Sequence, residues 1–284
     1  MTGRKSYTPG THFRGWARAG AVPPGIAAAV EVAPDETLDV ICGHFCLFQL
    51  RGGHRCSTDD VLTAWYGTSW APSASTALDL GSGIGSVGMI AAWRLPGARF
   101  VTVEAQDRSV RLARKSAAYN GLEARYDIRL GDFRDPGILS AGERFDLVLG
   151  SPPYFPLGTG AKGDHPQKTQ CRFETRGDIA DYTRAAMRHL AGGGVFACVF
   201  PENQQARVAR AAAEAEAVIV RRRPVVFRDG DAPLVSLFIM MRATDLPEPM
   251  RGQTWVEPPL VIRRADGTVH PEYAAVKLSF GFPP

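Results

Sequence analysis

Residues 150–156, with the sequence GSPPYFP, follow the apolar run FDLVL and combine groups that could hold a planar amine. Pro152 and Pro153 fix the backbone and remove amide donors, so carbonyl oxygens there can act as unopposed acceptors. The Ser151 hydroxyl and the Pro152 carbonyl could accept both hydrogens of an exocyclic amine and orient its lone pair. Tyr154 could stack on the attached ring. The segment therefore predicts positioning chemistry on an amine without a strong general base, the alternative being a proline-rich turn with a core tyrosine.

A glycine cluster, LDLGSGIGSVG at residues 78–88, follows another strand-like run and opens a helix. Glycine at such a turn lets the backbone pass close to a ligand. Glu104 ends the next apolar run about 20 residues on, where a carboxylate can accept both hydroxyls of a ribose. The pairing indicates a cofactor that contains adenosine, rather than a glycine turn without a ligand. The predicted contacts are Gly81, Ser82, Gly83, Gly85 and Glu104.

Two residues of this cluster decide between cofactors. Ser86 stands where the dinucleotide fingerprint needs glycine or alanine, and Asp79 adds a negative charge where a pyrophosphate would lie. A carboxylate there repels phosphate and suits a cation such as S-adenosylmethionine, which carries a sulfonium and an amino group. The cluster resembles the D/E-x-G-x-G-x-G motif of class I methyltransferases. By that resemblance Asp132, in the GDF segment, contacts the adenine amine.

The SPPY segment resembles the N/D/S-P-P-Y signature of methyltransferases that act on planar amines in adenine, cytosine or a glutamine amide. Ser151 departs from the asparagine that is most common among the RNA and protein enzymes. Serine there is better known among DNA cytosine-N4 enzymes. The signature therefore leaves RNA, protein glutamine and DNA open as substrates.

The flanking segments resemble the bacterial tRNA(Val) (adenine-N6) methyltransferase family over about residues 38–282. GGHRCSTDDVLTAW resembles a segment that folds over the cofactor in that family, which implies pocket roles for Arg55, Ser57 and Asp59. PPYF followed by CRFET resembles the family's P-P-Y-F and A-R-x-E pair. This implies substrate contacts from a second group of residues, namely Tyr154, Phe155, Arg172 and Glu174.

The elements that must position these residues form an alternating pattern. Strands that are apolar throughout alternate with amphipathic helices from about residue 76 to residue 243, which predicts a doubly wound α/β domain with a parallel sheet. A last antiparallel pair is expected at the sheet edge. The class I resemblance implies a Rossmann-like, seven-stranded sheet. The predicted organisation is a basic arm at 1–36, an N-terminal elaboration at 37–75 and the methyltransferase domain at 76–284.

The N-terminal elaboration has a pattern of its own. One or two strands joined through Gly52 and Gly53 are expected there, followed by a helix capped at Ser57 or Thr58 that runs through Trp65. At the other end of the domain, a surface helix is expected around the Ala-rich segment near Ala209. The helix predicted before the strand VFACVF should stop at the glycine run 192–194.

Composition places few further limits on function. The net charge is +4, and the basic residues of the first thirty positions either bind phosphate or form a solvated tail, with a transit peptide as a third reading. The apolar runs are shorter than the roughly 20 residues of a membrane span, and five cysteines fit a reducing compartment, so a cytoplasmic protein is expected. No metal is expected, since the Cys42, His44 and Cys46 group follows strand alternation.

The leading hypothesis is therefore an S-adenosylmethionine-dependent RNA methyltransferase, with adenine-N6 of a tRNA near the anticodon as the target. The alternatives are a protein glutamine-N5 methyltransferase and a DNA amino-methyltransferase. A further alternative is an RNA-binding protein that keeps the fold without the chemistry. The sequence leaves the oligomeric state open.

Overall fold

The computed structural model of the chain describes residues 30–156, 167 and 173–282, and the backbone alone at residues 12–13 and 16–17. At those last positions two short strands pair antiparallel, β1 His12–Phe13 and β2 Trp16–Ala17. The remainder of the predicted basic arm, up to residue 29, lies outside the described residues.

Strands and helices alternate along the described chain, as the periodic apolar runs predict. The strands after β2 are β3 Glu36–Cys42, β4 Phe45–Leu50, β5 Thr76–Leu80, β6 Arg99–Glu104, β7 Tyr126–Leu130, β8 Phe145–Gly150, β9 Leu190–Pro201, β10 Ala217–Val226, β11 Val235–Arg242, β12 Trp255–Val256 and β13 Leu260–Val261. The α-helices are α1 Thr58–Trp70, α2 Ser86–Arg94, α3 Asp107–Tyr119, α4 Ile179–His189, α5 Gln205–Glu214 and α6 Pro271–Leu278. Three short 3-10 helices span Glu202–Gln204, Ala243–Asp245 and Glu248–Met250.

The central sheet has the predicted doubly wound topology. Its longer strands lie in the order β7, β6, β5, β8, β9, β11, β10, and β11 runs antiparallel to both neighbours. The two-residue strands β12 and β13 pair with β10 and extend this seven-stranded sheet within the described residues. Helices α1, α2 and α3 pack against one face and α4 and α5 against the other, each over its own apolar core. The predicted α/β, Rossmann-like fold is therefore confirmed.

The N-terminal elaboration is a β-hairpin followed by α1, and one detail of its prediction is wrong. The turn between β3 and β4 lies at Gly43 and His44, whereas Gly52 and Gly53 come after β4. Gly43 has a φ of +43°, and an added Cβ would meet the Trp93 ring at 2.1 Å, so glycine is required at this turn. The predicted domain boundaries stay predictions.

The hairpin docks on α3 through its backbone. The Cys46 amide donates to the side-chain oxygen Oδ1 of Asn120 at 2.9 Å, and the Phe48 amide donates to the Ser116 hydroxyl at 2.9 Å. Side chains of α3 and of the residue that follows it thus satisfy backbone donors of β4, which would otherwise be buried without partners. This docking fixes the hairpin against the sheet domain and sets the position at which α1 starts.

Two further boundaries differ from expectation. Helix α1 continues five residues beyond Trp65, to Trp70, because Tyr66 is buried and keeps the helix against the core. Strand β9 begins at Leu190, ahead of the glycine run. A Cβ on Gly194 would lie 2.9 Å from the carbonyl oxygen of Phe145 on β8. The glycine therefore allows β9 to approach β8 closely, whereas the sequence predicted only that the glycine run ends a helix. The surface helix expected near Ala209 is α5.

Candidate cofactor and substrate cleft

A cleft of about 640 Å³ opens at the carboxyl ends of β5, β6, β7 and β8. Ligands bind at this edge of an open α/β sheet, because the strand connections reverse direction beside β5. The cleft wall contains most of the predicted site residues: Arg55, Ser57, Asp59, Asp79, Gly81, Ser82, Gly83, Glu104, Asp132, Ser151, Pro152, Pro153, Tyr154 and Phe155. Gly85 and Glu174 lie outside the wall, and Arg172 lies outside the described residues.

The glycine loop between β5 and α2 forms the floor of the cleft. Gly81 and Gly83 have φ values of +59° and +55°, a conformation that L-residues with side chains rarely adopt. A Cβ on Gly81 would lie 1.9 Å from the Tyr182 hydroxyl oxygen. A Cβ on Gly83 would meet no described atom within 4 Å and would project into open space. The loop is therefore packed at Gly81 and open at Gly83.

Glu104 at the end of β6 is held by the loop that it faces. One carboxylate oxygen accepts the Gly83 amide at 2.9 Å, and the other accepts the Gln106 amide at 2.7 Å. The side chain is 6% exposed, and burial raises the pKa of Glu104 despite these two donors. A buried carboxylate with fixed orientation is suited to accept hydroxyl donors from a ribose.

Asp79 lies deeper, at the carboxyl end of β5. It is 1% exposed, and its Oδ2 accepts the Gly88 amide of α2 at 2.9 Å. Burial raises the pKa of Asp79 well above its ordinary value, and the negative charges of Asp60 and Glu104 act in the same direction. The amino end of α2 offsets part of that cost. This concentration of negative charge favours a cationic ligand over a phosphate.

Asp132 and Ser82 add polar groups to the wall of the cleft. Arg134 donates to both Asp132 carboxylate oxygens and lowers the pKa of Asp132, so this acid is ionised at neutral pH. The Ser82 hydroxyl is buried and has no hydrogen-bond partner among the described residues. A buried hydroxyl without a partner on a ligand-facing loop fits a site that a bound molecule completes.

The Ser-Pro-Pro-Tyr segment leaves β8 and enters the same cleft. Among the described residues, neither the Ser151 hydroxyl nor the Pro152 carbonyl makes a hydrogen bond, so both acceptors are available. The Tyr154 hydroxyl donates to Asp59 Oδ2 at 2.7 Å, and its ring packs edge-on against Phe200. Burial and the adjacent Asp59 carboxylate raise the pKa of Tyr154. The tyrosine is thereby fixed beside two free acceptors.

The segment PPYF is adjacent in space to Phe173 and Glu174 of the CRFET segment. Phe155 and Phe173 form a β-bridge, and the Glu174 amide donates to the Phe155 carbonyl at 2.9 Å. The Glu174 carboxylate faces α5 and forms an ion pair with Arg207 at 2.6 Å. Helix α5 thus brings a guanidinium to this acid, and the predicted substrate contacts of Glu174 and Arg172 stay predictions.

Residues before α1 cover the cleft from the hairpin side. Ser57 is the N-cap of α1, and its amide donates to Asp60 at 2.8 Å. Arg55 pairs with Asp39 of β3 at 2.7 Å. Asp59 is turned toward Tyr154, and burial raises the pKa of its carboxyl. One hydrogen bond, from Tyr154 to Asp59, thus joins α1 to the Ser-Pro-Pro-Tyr segment.

The cleft is also lined by residues that were not predicted, among them Phe133, Arg176 and Tyr182. The rings of Phe133 and Tyr182 meet edge-to-face with centroids 4.6 Å apart. Phe133 follows Asp132 directly, so the GDF segment carries a signal for it. Tyr182 lies on the apolar face of α4, where its type and spacing are those of a core residue.

The group formed by Cys42, His44 and Cys46 lies in the β3–β4 hairpin. Cys42 and Cys46 are buried in the hairpin, and burial raises the pKa of the Cys42 thiol. Within residues 30–156, 167 and 173–282, no three His, Cys, Asp or Glu side chains are arranged to hold a metal ion. In the same part of the chain, no helix combines the length and apolar character needed to cross a membrane.

Comparison with known proteins agrees with this geometry. Residues 68–168 match the model of the methyltransferase small domain. The chain is 31% identical over 154 residues to the tRNA1(Val) (adenine(37)-N6)-methyltransferase of Porphyromonas gingivalis, covering 53% of this chain and 60% of that protein. It is 30% identical over 103 residues to the release factor glutamine methyltransferase of Aliivibrio fischeri, covering 36% of this chain and 34% of that protein. The alignments thus span less than two thirds of these relatives.

A solved structure supports the fold independently. A protein from Agrobacterium tumefaciens described as an O-methyltransferase superposes with a TM-score of 0.58 at 18% identity, covering 80% of this chain and 99% of that one. The domain match, the strand order and the cleft define a class I methyltransferase fold, and the resemblance predicted from the motifs is confirmed. S-adenosylmethionine is the cofactor of that class, and the cofactor prediction is confirmed.

The residues of the cleft fit this cofactor. Acids in the wall outnumber bases, which suits a ligand with a sulfonium and an amino group, and Gly83 leaves open space beside Glu104. The unpartnered Ser82 hydroxyl offers a further polar contact. On this arrangement Glu104 and Asp132 would hold the adenosine portion and Asp79 would face the cationic end.

Proposed function

We propose that the protein transfers a methyl group from S-adenosylmethionine to an exocyclic amine of RNA, with adenine-N6 of a tRNA near the anticodon as the target. One observation carries the proposal: no described residue donates a hydrogen bond to Ser151 Oγ or to the Pro152 carbonyl, and both residues lie beside Tyr154 in the cleft that contains the predicted cofactor residues. The relative from Porphyromonas gingivalis, a tRNA adenine-N6 methyltransferase, supports RNA as the substrate class.

The chemistry follows from these positions. When bound, S-adenosylmethionine supplies an electrophilic methyl group on a sulfonium. Ser151 and Pro152 accept the two amine hydrogens, which directs the nitrogen lone pair out of the ring plane, while Tyr154 stacks on the ring. The amine nitrogen would gain the bond to the methyl carbon while the bond between that carbon and the sulfonium sulfur breaks, which releases S-adenosylhomocysteine. The nitrogen would then lose one proton to water. No residue has to act as a strong base, because the alkylated amine is acidic before that proton leaves.

The experiment compares substrate classes with one enzyme preparation. Tritium from labelled S-adenosylmethionine should enter tRNA that lacks the modification, and nucleoside mass spectrometry should identify N6-methyladenosine. Ser151→Ala removes one acceptor and should lower turnover about tenfold. Ser279→Ala, whose hydroxyl contacts Val276 on α6 outside the cleft, is the matched control and should leave turnover unchanged.

A second candidate is methylation of a glutamine amide in a protein, because Ser151 and Pro152 can present an amide in the same way. The release factor glutamine methyltransferase relative supports it. Transfer of label to a glutamine-containing release factor and to no RNA would favour this candidate and reject the RNA target. Failure to bind S-adenosylmethionine in calorimetry, with RNA binding retained, would instead favour a noncatalytic RNA-binding protein.

A further inference from the structure

Arg221 of β10 lies between two exposed tryptophans at the edge of the sheet. Its guanidinium carbon is 4.7 Å from the centre of the Trp70 ring at the end of α1, and 5.2 Å from that of Trp255 on β12. Trp255 is 62% exposed and Trp70 is 40% exposed. We call Trp70, Arg221, Trp255 and the exposed Val256 the tryptophan–arginine surface.

Arg221 differs from the two arginines that follow it. Arg222 pairs with Glu202, and Arg223 pairs with Glu257 and Glu272. Among the described residues, Arg221 has no carboxylate partner, and its guanidinium makes one long hydrogen bond, to the Val220 carbonyl. The positive charge of Arg221 is therefore the one in this run that no described acid neutralises.

A second cation contacts the last turns of α1. Arg94 at the end of α2 donates to the Trp65 carbonyl and to the Ser69 hydroxyl, and it too has no carboxylate partner among the described residues. Its guanidinium also lies over the Phe280 ring. The last turn of α1, which ends at the exposed indole of Trp70, is thus flanked by two unneutralised arginines.

The surface is separate from the cleft but is joined to it by one rigid element. The first turn of α1 carries Asp59 at the cleft, and the last residue of α1 is Trp70. Eleven residues of helix at 1.5 Å each place the two ends about 16 Å apart. A folded RNA whose target base enters the cleft extends far enough to reach this surface.

We propose that the tryptophan–arginine surface binds an unstacked nucleotide of the same RNA, outside the target site, with the base on an indole face and the phosphate at Arg221. The inference rests on the proposed RNA substrate. Edge protection of the sheet accounts for a charged residue on β10, but it does not require two large aromatic residues that are 40% and 62% exposed. Exposed aromatic rings combined with uncompensated positive charge match the two parts of a nucleotide.

The test compares Trp255→Ala and Arg221→Gln with the wild-type chain on two RNAs. Affinity for the full-length tRNA should fall at least about fivefold for Trp255→Ala, the lower end of the effect of removing one stacking ring. Arg221→Gln should also weaken binding, and it should reduce the slope of log affinity against log salt by nearly one, as expected for one phosphate contact. Turnover on a minimal stem-loop that carries only the target region should stay at the wild-type level.

Two controls separate a binding role from damage to the fold. Arg210→Gln removes an exposed arginine of α5 and should change neither the affinity nor the salt slope. Arg221→Lys keeps the charge but loses the planar stack between the rings, so it should retain the salt slope while losing part of the affinity. Thermal unfolding of each variant should match the wild type within a few degrees.

The outcomes are distinct. If the wild-type chain binds and methylates tRNA and both variants bind it with unchanged affinity, the tryptophan–arginine surface does not contact the RNA. The proposed function would then still stand. An absence of RNA binding by the wild-type chain would overturn both. If the wild-type chain sediments as a dimer and Trp255→Ala sediments as a monomer with unchanged tRNA affinity, the surface binds a second copy of the chain. That result would reject the RNA contact.

Discussion

Asp79 combines a cost to folding with a predicted role in binding. Its pKa is raised by burial, so the folded state holds the proton more tightly than the unfolded state does. The contribution of this carboxyl to stability is therefore complete below its unfolded pKa and is lost as the pH rises toward the raised folded value. Ionisation of this buried carboxyl therefore costs stability, a cost that a cationic ligand would offset on binding.

Replacement of Asp79 by asparagine should separate these two effects. The side-chain amide oxygen introduced by Asp79→Asn can still accept the Gly88 amide, so the melting temperature at pH 7 should stay the same or rise. The affinity for S-adenosylmethionine, measured by calorimetry, should fall about 10- to 100-fold through loss of a charged partner. Asp231→Asn, an exposed turn residue, is the control. Unchanged cofactor affinity in Asp79→Asn would contradict the assignment.

Tyr154 should affect turnover without affecting the cofactor. Tyr154→Ala removes the ring and should lower the turnover number by up to about 100-fold through lost stacking, with cofactor affinity near normal. Tyr154→Phe keeps the ring but loses the hydrogen bond to Asp59, so it should give a smaller decrease. Steady-state kinetics with saturating cofactor measures both. A loss of cofactor affinity in Tyr154→Ala with normal turnover would reverse the assignment.

The roles of individual residues could be predicted where one motif places several polar groups at the end of a strand. The chemistry of Asp79, Glu104 and Ser151 could be argued from residue type and spacing alone, and the structure brings all three to one cleft. The partner of Glu174 could not be predicted, because Arg207 lies on α5 and reaches the acid only through the fold.

At the scale of elements, the glycine loop offers a paired test of packing against binding. Gly81→Ala would place a methyl group against Tyr182, so thermal stability should fall and the cofactor site should distort with it. Gly83→Ala meets no described atom and carries mainly the backbone cost of about 1–2 kcal/mol for a left-handed residue. Its added methyl group points into open space of the cleft floor.

The two variants should therefore differ in how far cofactor affinity falls relative to the free energy of unfolding. Gly83→Ala should lose cofactor affinity by more than its change in unfolding free energy explains, whereas Gly81→Ala should lose stability first. Differential scanning calorimetry with and without S-adenosylmethionine provides both quantities. Gly142→Ala, in an open loop outside the cleft, controls for the substitution itself. Equal stabilisation of Gly83→Ala and wild type by the cofactor would exclude a close contact at Gly83.

Elements with strong periodicity were predictable, and elements fixed by tertiary contacts were not. The helices and strands from β5 to β11 follow apolar runs that bury on folding. The turn at Gly43 depends on the approach of Trp93, which lies on another helix. Strands β12 and β13 have two residues each, too few to produce a pattern, and they pair only because β10 presents an open edge.

For the whole molecule, the sheet divides the core into two layers, and both must form before the cleft exists. Tyr154 packs against residues of both layers, and Asp59 and Glu104 line the same cleft from α1 and β6. The site is therefore assembled from segments that are distant in sequence, so global unfolding should abolish it in one step. The sequence predicted this arrangement because doubly wound sheets place all their strand ends at one edge.

Acid stability of the whole fold should depend on the ion pair between Arg129 and Glu143, which ties β7 to the loop before β8. Two guanidinium nitrogens contact the two Glu143 oxygens at 2.6 and 2.9 Å, and the Ser140 amide also donates to this carboxylate. These contacts lower the pKa of Glu143 to about 2. A folded pKa below the unfolded value of 4.5 means stability that is complete above that value and lost as the pH falls toward 2.

Glu143→Gln should remove this dependence. With allowance for solvent screening, the variant should lose about 1 kcal/mol of unfolding free energy at pH 7. The difference from wild type should shrink as the pH falls through the range between 4.5 and about 2, because protonation then removes the same charge from the wild-type chain. Urea titrations at several pH values measure it, with exposed Glu214→Gln on α5 as the control. If the unfolding free energies of wild type and Glu143→Gln differ by the same amount down to pH 2, the Arg129–Glu143 ion pair does not cause the acid sensitivity of the fold. The loss of stability in acid must then come from other carboxylates.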